Sequence, residues 1–524
     1  MKRAAVVALA ATLVTTLVSL GAAGCGASDA GSRPTSPAAV APVASAAPPP
    51  AEDFRSKPPP AGPAVVFVPL RVIESKLANG VRVLVAERHE LPIVAVAIVV
   101  RTSAPSTPGL ASFASGMLMQ GTRTRSALQI SDELERLGGD VNAWSDYDAA
   151  YVGGKFLTEK LGPGLAVLAD VAKNPRFEPA EVERFRSRRM TALAQQKDSP
   201  QAVLSRAVVG VLYPPAHPYA TPLIGTEEST TRVTPEALAA YWKGILRPDA
   251  TTILFAGDIT EGAARAEAER ALGALPAVTT PSPPPKTDAP AATGGPKVVL
   301  IDRPGATQSS VAVSLVGVPR STPDYDAITV MNTILGGQFS SRLNLNLREK
   351  HAFSYGARSW FDMRQGPGPF SAGGAIVRES TGPAVKEIRA EIDRMRSEPV
   401  SDDELADAKT NILRALPAEF ESTEDVVRAL ANLVVHGLPL DEYATRSARV
   451  SAVTKEDVRR VAQKTLTPEA ARLVVVGDAS VVKDQLASLG IGDVELRAAP
   501  SAPAAKAGVP APKPPAAPAP KPTK

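Results

Sequence analysis

Two side chains in the second half of the chain could act as a pair. Arg348 and Tyr355 stand seven residues apart, where a helix ending in Leu347-Arg348-Glu349-Lys350 gives way to a strand near Ser354-Tyr355-Gly356. A guanidinium and a phenol are both hydrogen-bond donors. Aimed at one peptide carbonyl, they would hold it and stabilise negative charge growing on its oxygen. The same residues have an ordinary reading, since the helix dipole alone favours an arginine at a C-terminus and a strand tyrosine often packs into a core. Metal chemistry has poorer material. The four histidines, His89, His217, His351 and His436, are too far apart in sequence to form a pair on one helix turn, whereas catalytic zinc usually takes three protein ligands, most often histidine. His217 lies in a Pro-rich turn and reads as structural. Ser112 and Ser115 fall in the run Phe113-Ala114-Ser115-Gly116-Met117, a small-residue helix face. An activated serine needs a sharp, exposed turn and a neighbouring base.

The elements that must position these residues come in duplicate. VTPEALAAYWKGILRPDATTILFAGD (233–258) aligns without a gap to VTKEDVRRVAQKTLTPEAARLVVVGD (453–478), at a constant offset of 220. A shared order of threonine N-cap, helix, proline and apolar strand points to two copies of one domain. In the first copy, VRVLVAE from Val81 and VAVAIVVRT from Val94 are β-branched runs that read as paired strands. Residues 128–137, 161–172 and 180–196 carry apolar side chains at helical spacing. The second copy repeats the theme with a strand at 311–316 and helices at 325–335, 338–350 and 383–396. The reading is an α+β fold of two homologous layered domains, each a mostly antiparallel sheet with helices packed on one face.

The ends of the chain have a different composition. Met1-Lys2-Arg3, an apolar run over 4–20 and Gly21-Ala22-Ala23-Gly24-Cys25 have the layout of a secretory signal, which predicts export from the cytoplasm. Cys25 is the only cysteine, so it has no internal disulfide partner. Its place directly after small residues resembles a bacterial lipobox, in which the cysteine is lipidated and becomes the mature N-terminus, although Ala22 stands where leucine is more usual. The competing reading is an uncleaved apolar span of about 20 residues; both tether the body to a membrane. The Ala/Pro/Ser stretches over 26–63 and 498–524 cannot bury a core. The expected division is a signal at 1–24, lipidated Cys25 and linker at 25–64, domains at 65–276 and 298–490, a Pro-rich linker at 277–297 and a tail at 491–524. The net charge of +4 is small for 524 residues and argues against a nucleic-acid partner.

GLASFASGMLMQGT (109–122), LGGDVNAWSDYDAAYVGG (137–154), HPYATPLIGTEESTTRVTPEAL (217–238), GGQFSSRLNLNLREKHAFSYGARS (336–359) and both repeat ends together resemble the pitrilysin/insulinase family of zinc peptidases. The resemblance spans nearly all of residues 65–490. It implies a mitochondrial-processing-peptidase-like pair of domains arranged as a clam around a peptide. In active members the first helix carries His-x-x-Glu-His, two imidazoles one turn apart on zinc and a glutamate that takes a proton from the bound water. Here those positions are Ser112, Ser115 and Gly116, a degenerate motif. The third ligand, a glutamate expected near 191–193, has no counterpart, because residues 185–196 contain no acidic residue.

Arg348 and Tyr355 match the family's Arg/Tyr pair, which reaches across the clam to a substrate carbonyl. Some members work as two chains, one with the zinc motif and the other with this pair. The resemblance therefore implies a noncatalytic, peptide-binding subunit, inactive alone, with no cofactor of its own and zinc in a partner chain. It would add the peptide as an extended strand and hold it with Arg348 and Tyr355. The alternative is a catalytically inactive scaffold of the same fold at the cell envelope, and a peptidase with a different site is the third possibility. The lipobox-like Cys25 places the protein on a bacterial membrane, at its periplasmic or outer-membrane face.

Overall fold

The computed structural model describes residues 71–500, except 104, 106, 281–286 and 291–293. The signal-like opening, Cys25, the whole linker before the first domain and the tail beyond 500 lie outside the described residues.

The first half runs β1 (Val72–Lys76), β2 (Arg82–Glu87), β3 (Ile93–Arg101), α1 (Leu110–Met117), α2 (Ala127–Leu137), β4 (Asp140–Ser145), β5 (Ala149–Leu157), α3 (Leu161–Lys173), α4 (Pro179–Asp198), α5 (Pro200–Leu212), α6 (Glu227–Arg232), α7 (Pro235–Ile245), β6 (Thr251–Gly257) and α8 (Glu261–Leu272). The second runs β7 (Val298–Asp302), β8 (Gln308–Val316), α9 (Tyr325–Asn332), α10 (Arg342–Asn344), β9 (Ser354–Phe361), β10 (Pro369–Val377), α11 (Thr381–Ser397), α12 (Asp402–Ala415), α13 (Thr423–His436), α14 (Glu442–Ala452), α15 (Lys455–Thr465), β11 (Arg472–Gly477), α16 (Ala479–Ala487) and β12 (Val494–Ala498). The strands form two six-stranded sheets, ordered β1-β2-β6-β3-β5-β4 and β12-β7-β11-β8-β10-β9. Only β2/β6, β7/β11 and β12/β7 pair in parallel, so both sheets are mostly antiparallel and the fold is α+β.

The internal repeat becomes α7-β6 and α15-β11. Thr234 and Thr454 each cap their helix by accepting a backbone N–H three residues on. β6 and β11 then occupy matching inner positions of the two sheets. The copies differ at one edge. The first sheet takes its outer strand, β1, from before the repeat, whereas the second takes β12 from after it. The second domain therefore continues past the boundary expected at 490, into a segment read as tail. Val494-Glu495-Leu496-Arg497-Ala498 is too short and too polar to announce itself, and its strand character comes from pairing with β7.

Each half packs its own helices on one face of its sheet, and a helix of the other half covers the second face. Val94, Val96, Ile98 and Val100 of β3 point into the first-half helices, while Ala95, Ala97 and Val99 meet α13. This explains why β3 reads as an unbroken apolar run: a strand buried on both faces loses its alternation. Alanines at 86, 95, 97 and 256 let α13 approach closely. Six Val and Leu side chains of α13 are buried, each worth about 1.5–3 kcal/mol. In return α5 lays Val203, Leu204 and Val208 on Val299, Ile301, Val474 and Val476 of the second sheet. A polar seam closes the exchange. Buried Asp148 accepts from the backbone N–H of Gln365 at 2.8 Å and from the Tyr219 hydroxyl at 2.9 Å, and Tyr213 donates to the Pro367 carbonyl at 2.9 Å. Burial pushes the Asp148 carboxyl above its usual range.

Candidate functional site

The motif-bearing helix α1 is anchored from behind by α4. Phe185 of α4 lies 5.0 Å from Phe113, ring centre to ring centre. A Cβ built on Gly116 would stand 2.5 Å from Phe185 Cζ, so the place of the second histidine in the family's motif is filled by an aromatic ring. Ser115 is fully buried and its hydroxyl has no hydrogen-bond partner, which makes it packing material. Ser112 accepts from Arg189 Nη2 at 2.6 Å and donates to the Leu223 carbonyl at 2.7 Å.

Arg189, also on α4, further donates to the carbonyls of Gly109 and Ile224. Burial lowers its pKa to about 10, and no carboxylate contributes to the shift. A buried guanidinium held only by neutral oxygens therefore faces the first motif position, on the helix expected to carry the third ligand. The sequence reading missed it. A signal was available: Arg184 and Arg186 find Glu181 and Glu183 one turn back, whereas the next acidic residue after Arg188 and Arg189 is Asp198.

The histidines are dispersed. His89 bonds Asp258 at 2.8 Å; His217 stacks on Tyr213 and accepts from the Tyr219 N–H, a structural role; His351 stacks on Phe353. His436, near the end of α13, is driven by burial to a pKa of about 4. Among the described residues, no three His, Cys, Asp or Glu side chains converge as a metal-binding group.

Arg348 and Tyr355 lie at the other end of the second half. α10 continues as a π-helical turn, Leu345–Lys350, and a left-handed Ala352 (φ 52°) reverses the chain into β9. The helix expected at 338–350 thus starts four residues later, because the polar 338–341 segment turns before Arg342. Asn344 fastens the junction by donating to the Phe339 carbonyl and accepting from the Ala357 N–H. The Arg348 guanidinium lies 4.8 Å over the Phe339 ring and pairs with Glu349 at 3.2 Å. Tyr355 is 87% exposed, which rules out the core-aromatic reading. No hydrogen bond joins the two side chains among the described residues. Phe339 and Leu345 are also exposed, and Arg348 over the Phe339 ring is a donor standing on apolar ground.

The outer edge of β4 is open, whereas along β9 the Ala357 N–H donates to Asn344 and the Ser359 carbonyl accepts from Asn332. β4 pairs with β5 on one side only, and β9 pairs with β10 on one side only. Behind β4, Trp144 stacks on Tyr151 at 5.0 Å, and a groove of about 550 Å³ runs between β4, β5 and α13.

Comparison with known proteins agrees with this architecture. Residues 82–227 match the model of the insulinase family, peptidase family M16, and residues 232–412 match that of the peptidase M16 inactive domain. Bacillus subtilis YmxG, named an uncharacterized zinc protease, is 24% identical over 413 residues, 76% of this chain and 96% of that protein. The crystal structure of a peptidase M16 inactive domain from Pseudomonas fluorescens superposes with a TM-score of 0.70 at 26% identity, covering 78% of this chain and 98% of that one. The first half of the periplasmic protease PqqL from Escherichia coli shares the fold, with a TM-score of 0.65 at 18% identity over 81% of this chain and 97% of that one. The chain belongs to the pitrilysin/insulinase family of peptidases.

Proposed function

We propose that this chain is the noncatalytic, peptide-binding subunit of a two-chain zinc metalloendopeptidase of its family. The observation that carries the reading is the filling of the metal-motif helix: Phe185 against Gly116 and the Arg189 cation against Ser112. A second chain would supply zinc and the general base. This chain would offer the open edge of β4 to an extended peptide, whose backbone supplies the missing ladder bonds. Arg348 and Tyr355, exposed and rimmed by Phe339, would donate to its carbonyl. A lipid on Cys25 would hold the assembly at the cell envelope.

The absence of a hydrogen bond between Arg348 and Tyr355 among the described residues favours a second reading, an inactive scaffold whose surface alone matters. Peptide cleavage by residues 26–500, assayed alone and mixed with a zinc-bearing relative from the same organism, decides between them. Activity only in the mixture, reduced at least tenfold by Arg348→Ala and by Tyr355→Phe, is the expected result. Unchanged activity with either variant supports the scaffold, and cleavage or stoichiometric zinc in the chain alone refutes both.

A further inference from the structure

A cavity of about 520 Å³ lies between the two halves, with Ser112 in its wall. Its charged lining is Arg189, Arg206 and Arg364 against one carboxylate, Asp362, and its apolar floor includes Val208 and Trp360. Each of the two buried arginines is incompletely satisfied. Arg364 is 9% exposed and lies 3.8 Å from the centre of the Tyr147 ring and 4.5 Å from that of Tyr219. Asp362 takes its Nε and Nη2, but its Nη1 is buried with no hydrogen-bond partner. Arg189 has Nε and Nη2 committed to neutral oxygens and no carboxylate beside it, which leaves Nη1 for a ligand.

Burying a guanidinium without a counter-charge is unfavourable; Arg189 is held in this way, and Arg364, although paired with Asp362, keeps a buried Nη1 with no hydrogen-bond partner. An excess of two positive charges over apolar walls creates a field that favours an anion, and the uncommitted Nη1 of Arg364 and of Arg189 can each donate a charge-assisted bond to a carboxylate. We propose that this interdomain cavity binds a carboxylate carried on an apolar body, either the C-terminus of a peptide ending in an apolar residue or a free amphiphilic acid. The inference uses neither Arg348 and Tyr355 nor the open edge of β4, so it stands apart from the proposed peptide subunit role.

Calorimetric titration of the purified chain with N-acetylphenylalanine, its neutral amide and a short peptide ending in phenylalanine tests it. The free acid is expected to bind at millimolar concentration or below, and the amide at least tenfold more weakly. A peptide that binds tighter than the single residue identifies a peptide C-terminus as the ligand; equal affinity identifies a free acid. Arg206→Gln, at a half-exposed position on α5, should weaken the acid about tenfold with an unchanged melting temperature, and Ala202→Trp, which fills the cavity, should abolish binding. Equal affinity for acid and amide, no binding of either acid, or wild-type affinity in both variants would overturn the proposal.

Discussion

The α1–α4 contact of the first half and the α10–β9 junction of the second occupy opposite extremes of one molecule. At the first, the positions that the family resemblance assigns to the zinc motif are closed: Ser115 is fully buried, Gly116 has no room for a side chain, and Ser112 is bound by a buried arginine. At the second, Arg348 and Tyr355 stand on the surface, and Tyr355 is 87% exposed. Side chains locked into packing are held by their neighbours and resist change. A site that is still presented outward contributes little to stability, so its side chains are free to serve a partner or a peptide.

The largest expected effect comes from trying to reopen the closed site. Gly116→His drives a side chain into Phe185 and should cost about 3 kcal/mol by overpacking. Phe185→Ala in the same chain should recover part of that loss, and thermal unfolding measures both. If Gly116→His is as stable as wild type, the site is not closed.

Arg189→Ala removes a donor from Ser112, Gly109 and Ile224 and should cost about 2–3 kcal/mol, the range for hydrogen bonds to charged groups. Denaturant unfolding with an unchanged slope and a lower midpoint is the expected result; an unchanged midpoint would mean that relief of charge burial offsets the lost bonds.

The open site is sharpened through the helix that carries it. Arg342 of α10 pairs with Glu404 of α12 at 2.6 Å and 2.9 Å, and first this hydrogen-bonded pairing, with the Ser401 N-cap, lowers the Glu404 pKa to about 2. A depressed carboxyl contributes stability above its unfolded value, about 4.3, and loses it as pH falls toward the folded value. Glu404→Gln should therefore cost about 1–2 kcal/mol near neutrality, after allowance for partial solvent screening. Its unfolding midpoint should converge on that of wild type between pH 4 and pH 2 (about the two pKa values above). A constant gap across that window would show that the pair does not set the shift.

The smallest effect belongs to Arg348→Ala and Tyr355→Phe, each expected within about 0.5 kcal/mol of wild-type stability because both side chains are exposed. A larger loss in thermal unfolding would assign them a structural role and erase the contrast between the two regions.

Much of this was legible in the chain itself. The apolar spacing predicts helices over residues 161–172 and 180–196, and the helices α3 and α4 extend them by only one or two residues at their ends, because apolar spacing over three or more turns is a strong signal. The four segments that resemble the family also placed Ser112, Ser115 and Gly116 on one helix, where α1 stands. Less was legible where the decisive partner is remote. Nothing near Arg189 in sequence names Ile224 or Ser112, and nothing near Val427 names Ala95. The strand β12 has no pattern of its own, and the exposure of Tyr355 depends on β9 being an edge, a property of the whole sheet.

The duplication, the class of elements in each copy, the polar and Pro-rich punctuation between them and the residue types at the motif positions can all be read along the chain, because each is written in local periodicity and capping. Only the tertiary structure decided that α5 and α13 cross between halves, that Phe185 and Arg189 close the motif helix, and that the second half presents its arginine and tyrosine to solvent. Those outcomes depend on which surfaces meet after the chain folds back over hundreds of residues, and contact at that range leaves no periodic trace in the sequence.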